Sequence, residues 1–438
     1  MPKTDSSKDK DHILFIANEQ IDIEKDYKKE DKFDKIKLRQ KIEPWLTALF
    51  QSEHLSLLVG TGLTIALTKN SDLMQGSNLD EFKEFKEKIE NAAKKYAENL
   101  NRRDPNFEDY LRVATELLRG YEILENNKAN YLKNKINKIL NKFLENILIS
   151  EKKLTTEIQP SKETEKQLSE EEKDNKLTLL KSFLLSFASR TSSRDRLNIF
   201  TTNYDRIIEF GLDEAGLLTL DRFIGKLIPI MRFHRINLDY HYNPPGIRGE
   251  PRYVEGVVRL TKLHGSLDWK FENDYVIKTN LPFAGDMGSF FDNPYENVVI
   301  YPNSSKAVET SFFPYSELFR DFSGAICRPN SVLVTYGYGF GDSHINRIIK
   351  DMLTIPSTHL VIISYDMASN RIKNFIEQCN QSQLTLMIGM ELADFKNLTR
   401  YYLPKPAIDR ISDRQVKILE KRNKIEESKD GEETHEES

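Results

Sequence analysis

The sequence predicts an α/β fold built on a doubly wound, mostly parallel sheet, and three observations lead there. Short apolar runs recur along the chain, among them "LSLLV" (55–59), "HLVIIS" (359–364) and "LTLMIG" (384–389). Each gives way to a segment of helical periodicity, as "SVLVTYGYG" does to "DSHINRIIKDML". The runs are apolar throughout rather than alternating, which marks strands covered on both faces by crossover helices.

Taken in order, residues 1–32 read as a flexible, polar N-terminal arm with one apolar island, "ILFIA", suited to a strand or an oligomerisation arm. From Phe33 to Phe50, Phe33, Ile36, Ile42, Trp45, Leu46 and Leu49 recur at helical spacing. The buried strand 55–59 then runs into Gly60-Thr61-Gly62. Residues 79–148 read as helical throughout, and 151–175 as a mobile loop of charged and polar residues. A further helix covers about 175–190. "NIFTTNYDRIIEFGL" (198–212) is a strand that breaks into a polar cluster and then a helix. Residues 235–280 are rich in turns and strands, with "NPPG" and a glycine hairpin. Alternation then resumes with "NVVIYP" and a helix near 313–326, followed by three strand–helix pairs. The organisation is therefore a core over 33–78 and 191–402 containing a β-rich insertion at 235–280. A helical insertion occupies 79–190, and a charged tail covers 403–438.

Composition narrows the function classes. With 438 residues, 39% hydrophobic and 30% charged, the chain reads as globular with charged surface segments. A net charge of −4 and no basic stripe give no reason to expect direct nucleic-acid binding or an anionic membrane partner. No apolar run approaches the ~18 residues of a spanning helix. The N-terminus carries no apolar leader, so the expected location is the cytoplasm. The two cysteines, Cys327 and Cys379, form no Cys-x-x-Cys pair, so no zinc site is expected.

In open parallel sheets, ligands bind beyond the carboxyl ends of the strands. Five strand ends here carry polar or glycine clusters. They are Gly60-Thr61-Gly62 with Thr64; Thr201-Thr202-Asn203 with Asp205; His264-Gly265-Ser266; "GYGFGDSH" from Gly337; and Ser364-Tyr365-Asp366. Each has a plain structural reading on its own. Glycines are common in strand-to-helix turns, Asn203 and Asp205 suit a helix cap, His264 suits a satisfied core position, and Asp342 suits an N-cap.

The joint order of "LLVGTGLT", "IFTTNYDRIIE", "KLHGSLDW", "IYPNSSK", "FPYSELF" and "VTYGYGFGDSHINRII" resembles the sirtuin family, in particular the sirtuin-like proteins of bacterial defence systems. That resemblance, spanning about 54–366, implies a Rossmann-type sheet that holds NAD as substrate. By position, Gly60, Thr61, Gly62 and Thr64 would approach the diphosphate and nicotinamide side, with Thr202 as a further cofactor-binding position. Asn203 would position water and the nicotinamide ribose, and Asp205 would hydrogen-bond the carboxamide. His264 would act on the ribose hydroxyls as general base. Gly337, Gly339 and Ser364 would line the adenosine half.

Deacylating sirtuins carry a four-cysteine zinc module that two cysteines cannot build, and a Gly-x-Pro-x-Phe-Arg loop where this chain reads "IALTKNSDLMQGS". The expectation is therefore an NAD glycohydrolase, the NAD-depleting effector of an antiphage, abortive-infection system. It would be a homo-oligomer, with a HerA-type hexameric ATPase or, second, an Argonaute-like protein as the implied partner. An NAD-dependent protein deacylase and a catalytically silent NAD or ADP-ribose sensing module stay open as alternatives.

Overall fold

The computed structural model describes residues 12–29, 32–69, 79–99, 105, 107–158, 176–191, 193–233, 239–242, 252–272, 275–286, 294–300 and 313–406. "NPPG", most of "IYPNSSK", residues 159–175 and the tail from 407 onward lie outside them.

The chain opens with β1 (Ile13–Ile16), β2 (Glu19–Ile21), α1 (Ile23–Tyr27) and a small hairpin, β3 (Lys28–Lys29) with β4 (Lys32–Phe33). α2 (Lys35–Phe50) follows, capped by the Asp34 side chain on the Lys37 N–H, and its Leu38, Ile42, Leu46 and Phe50 face the core. β5 (His54–Val59) and α3 (Thr61–Thr68) come next. Helices α4 (Lys86–Asn99), α5 (Phe107–Ile123) and α6 (Lys128–Ile158) and the helix Lys176–Ala188 precede β6 (Leu197–Thr201). The remaining strands are β7 (Leu218–Leu220), β8 (Phe223–Ile224), β9 (Ile230–Met231), β10 (His241–Tyr242), β11 (Arg252–Tyr253), β12 (Val257–Lys262), β13 (Gly265–Glu272), β14 (Tyr275–Lys278), β15 (Val298–Ile300), β16 (Ser331–Tyr336), β17 (His359–Ser364) and β18 (Leu384–Ile388).

Nine strands form one sheet in the order β2-β1-β18-β17-β16-β5-β6-β12-β7. From β18 to β7 every neighbouring pair is parallel. Numbered along the chain, its six central strands β5, β6, β12, β16, β17 and β18 lie in the spatial order 3-2-1-4-5-6. This is the doubly wound dinucleotide-binding arrangement, and its topological switch point falls between β5 and β16. Two apolar layers cover the faces. One gathers α2 and the helix Lys176–Ala188, through Leu46 and Phe183; the other gathers Phe322, Ile345, Ile349 and Phe375. Burial on both faces is the reason these strands read as unbroken apolar runs.

Three expectations are corrected. Residues 13–21 are not part of a flexible arm. β1 pairs antiparallel with β18, Ile13 opposite Ile388, and Leu14 is fully buried, because β18, the last of the parallel strands, is itself apolar and would otherwise be an open edge. The charged stretch from 151 does not begin a loop, since α6 continues to Ile158 and Leu154 reaches the core. Residues 235–280 are not one insertion. β12 belongs to the main sheet, whereas β13 and β14 join β15, β9 and β8 in a separate five-stranded sheet.

Candidate active site

The five strand-end clusters lie side by side. β17, β16, β5, β6 and β12 are consecutive in the sheet, so the segments from Ser364, Gly337, Gly60, Thr202 and His264 form one row along its carboxyl edge. The register aligns the last two of that row. Thr201 is paired with Lys262, and Asn203 and His264 each stand two residues beyond that pair. The Leu263 N–H donates to the Thr201 carbonyl at 2.8 Å, which carries the parallel ladder up to His264.

Asn203 is the centre of a buried hydrogen-bonded chain. Its Nδ2 donates to the Gly60 carbonyl and to Thr64 Oγ1, both at 3.0 Å. Thr64 Oγ1 in turn donates to Asp205 Oδ2 at 2.7 Å. The second Asp205 oxygen accepts from the Ile207 N–H at 3.2 Å, so Asp205 also serves the start of the helix Ile207–Glu214. Asn203 is 3% exposed, yet its Oδ1 has no hydrogen-bond partner among the described residues. A buried acceptor left unpaired is uncommon and expensive, and it is the kind of atom a bound water or ligand would satisfy. Burial pushes the Asp205 carboxyl up to about 6, against the opposing pull of the Lys262 charge and the Thr64 hydroxyl.

Lys262 sits under this loop, 3% exposed, at the last position of β12. Its ammonium donates to the carbonyls of Tyr204 (3.3 Å) and Asp205 (2.5 Å) and pairs with Glu209 at 2.9 Å. Three donors meet three acceptors, which fixes the path of the chain just after Asn203. The signal for it was in the sequence: a lysine ending an apolar strand directly before "LHG".

His264 is 7% exposed, and its Nε2 lies 2.9 Å from Asp342 Oδ2. Asp342 is also the N-cap of the helix Ser343–Leu353, as its sequence context suggested, with Oδ1 accepting from the His344 and Ile345 N–H groups. Its reach to His264 was not legible, because the two residues are 78 positions apart.

The glycines have a fold reason of their own. A Cβ on Gly60 would lie 2.4 Å from the Gly337 carbonyl oxygen, and one on Gly62 would lie 2.5 Å from the Gly337 Cα. Gly337 itself has φ +60. The two turns at the switch point therefore meet backbone to backbone, which only glycine permits. Gly339 differs, since the nearest atoms to a Cβ there would be side chains, the end of Arg371 at 3.1 Å and Ala368 Cβ at 3.9 Å. The Ser364 hydroxyl donates to the Asp366 carbonyl at 2.7 Å, closing the turn after β17, and the Thr202 N–H donates to Val59 at 3.2 Å. Thr61 opens α3 beside them.

The helical segment closes on the same loop. Phe143 of α6 meets the Tyr204 ring edge-on at 5.6 Å. Glu151, fully buried, accepts from the Arg206 backbone N–H and side chain at 2.7–3.0 Å and from the Ala284 N–H at 3.0 Å. Arg206 also donates to the Leu281 and Pro282 carbonyls. Sequence reasoning missed this latch entirely, because Glu151 heads a run of charges.

Residues 197–384 match the family model of the SIR2-like domain. The match begins at the first residue of β6 and ends at the first of β18, so it contains Asn203, His264 and Asp342 and leaves out the Gly60 turn. It supports a sirtuin-like, NAD-utilising chain. No curated protein matches the chain. Among the described residues no helix is long and apolar enough to cross a membrane.

Proposed function

We propose that the chain is an NAD glycohydrolase, cleaving NAD to ADP-ribose and nicotinamide as the effector of an antiphage defence system. The observation that carries this is the buried Asn203 Oδ1, without a hydrogen-bond partner among the described residues and held in place by Gly60 and Thr64 beside Asp205. It is an uncharged acceptor suited to hold a water at the nicotinamide ribose. The chemistry asks for little more. The pyridinium of NAD is already a cationic leaving group, so no acid need protonate it. A water oxygen bonds to the ribose C1′, the C1′–N bond breaks with its electron pair going to the nicotinamide nitrogen, and the water's proton passes by way of the ribose hydroxyls to His264 and then to solvent.

Gly60, Thr61, Gly62, Thr64 and Thr202 would take the diphosphate and nicotinamide side. Asp205 would take the carboxamide, and Gly337, Gly339 and Ser364 the adenosine half. Hydrolysis is favoured over deacylation because the chain has two cysteines, short of the four that the deacylase zinc module uses. An unrestrained enzyme of this kind would exhaust its host's NAD. Assembly of the chain with itself or with a HerA-type ATPase would gate it, and the contacts of α6 with Tyr204 and Arg206 offer a route.

Purified protein, alone and with the product of a neighbouring gene, should release nicotinamide from NAD. Asn203→Ala and His264→Ala should each lower that release by about 10²-fold or more. Deacylation of acyl-lysine peptides without net NAD hydrolysis would overturn the reading, as would tight NAD binding with no product after long incubation.

A further inference from the structure

The contact between His264 and Asp342 sets the direction of any proton transfer at this site. The Asp342 carboxylate is held rigidly. Oδ1 accepts from the backbone N–H groups of His344 at 2.9 Å and Ile345 at 3.3 Å, in the first turn of the helix Ser343–Leu353. That leaves Oδ2 to face His264 Nε2 at 2.9 Å, with side-chain exposures of 8% for the histidine and 6% for the aspartate. A carboxylate can only accept hydrogen bonds. The imidazole is therefore the donor, Nε2 carries the hydrogen, and Nδ1 is the basic nitrogen.

We propose that Asp342 is the positioning residue of His264. It fixes the Nε2–H tautomer, aims the ring, and sets a negative charge against the imidazole as Nδ1 takes up the proton released in NAD cleavage. The role rests on the proposed NAD hydrolysis, but the tautomer does not. The placement follows from the fold: β16 and β12 lie on opposite sides of the β5–β6 pair, and the loop 337–342 crosses the carboxyl edge to reach His264. The N-cap accounts for one carboxylate oxygen and leaves the second to the histidine.

The test uses two substitutions that keep the cap, since Asn and Ser are both good N-caps. In Asp342→Asn the amide oxygen stays on the helix N–H groups and the amide NH2 turns to His264. A donor now faces Nε2, so the ring must switch to the Nδ1–H tautomer. In Asp342→Ser the side chain at 342 is too short to reach the ring. Nicotinamide release by the full chain should fall on the order of 10²- to 10⁴-fold in kcat for Asp342→Asn, and also fall for Asp342→Ser, with KM for NAD within about two-fold in both. Side-chain ¹⁵N NMR should report the Nε2–H tautomer for His264 in the parent and the Nδ1–H tautomer in Asp342→Asn. A purely structural cap would leave kcat and the tautomer unchanged in both variants, and that result overturns the proposal. So does an Nδ1–H tautomer in the parent protein. A parent that releases no nicotinamide yet shows the Nε2–H tautomer and its switch would sink the hydrolase reading and leave the positioning intact.

Discussion

Asp205 shows how one side chain answers to two demands. As a residue of the Asn203–Thr64–Asp205 chain it must accept from Thr64, and as part of the helix start it must accept from Ile207. Both bonds favour the charged form, and so does Lys262, yet burial outweighs them and raises its pKa to about 6. A carboxyl whose folded pKa exceeds its unfolded one, near 3.8, stabilises the fold fully below that unfolded value, and the contribution is lost as pH rises through 6. The shift of about two pH units corresponds to on the order of 3 kcal/mol. Urea unfolding of the parent and of Asp205→Asn at pH 4 and pH 7.5 should show the parent losing stability relative to the variant over that window. Equal pH dependence in the two proteins would remove Asp205 from the balance. Asn203 and His264 were legible as candidates from their motifs. Their partners decide what each side chain can do: Thr64 was legible as a cofactor-binding candidate but not as the partner of Asn203, and Asp342 only as a cap.

At the scale of elements, α6 has the largest consequence. The sequence gives its apolar stripe, Leu132 to Leu148, but places Glu151 among solvated charges. In the fold, Glu151 is the buried end of a latch to Arg206, next in the chain to Asp205. Removing one member of a buried pair leaves the other charge uncompensated, at a cost of about 3–5 kcal/mol. Glu151→Ala should lose that much in urea unfolding. Lys152→Ala, one residue on, should lose less than about 1 kcal/mol, because its partner Asp286 is 91% exposed. Similar losses for both would mean that the latch carries no special weight. The glycine turns belong to this scale too. Gly60 and Gly62 are required by the approach of two loops, a contact between segments almost three hundred residues apart, whereas a Cβ on Gly339 would press first on the flexible end of the Arg371 side chain.

At the scale of the whole molecule, the sheet order turns separate clusters into one site. β1 and β2 complete that sheet at one side, and Leu14 of β1 is fully buried there. Leu14→Ala should cost about 2–5 kcal/mol of unfolding free energy, measured by thermal or urea melting; no change would return residues 13–21 to the status of an arm. The sequence by itself determined the strand–helix alternation, because strands buried on both faces must be apolar along their length. It also determined the residue types at the strand ends, because loops at a carboxyl edge are free to be polar. It did not determine the order of the strands, the meeting of Gly60 with Gly337, the Asp342–His264 pair or the Glu151–Arg206 latch. Those are contacts between residues far apart in the chain, so local periodicity and spacing carry no trace of them. Only the packing of β16 beside β5, and of α6 against the loop after β6, brings them within hydrogen-bonding distance.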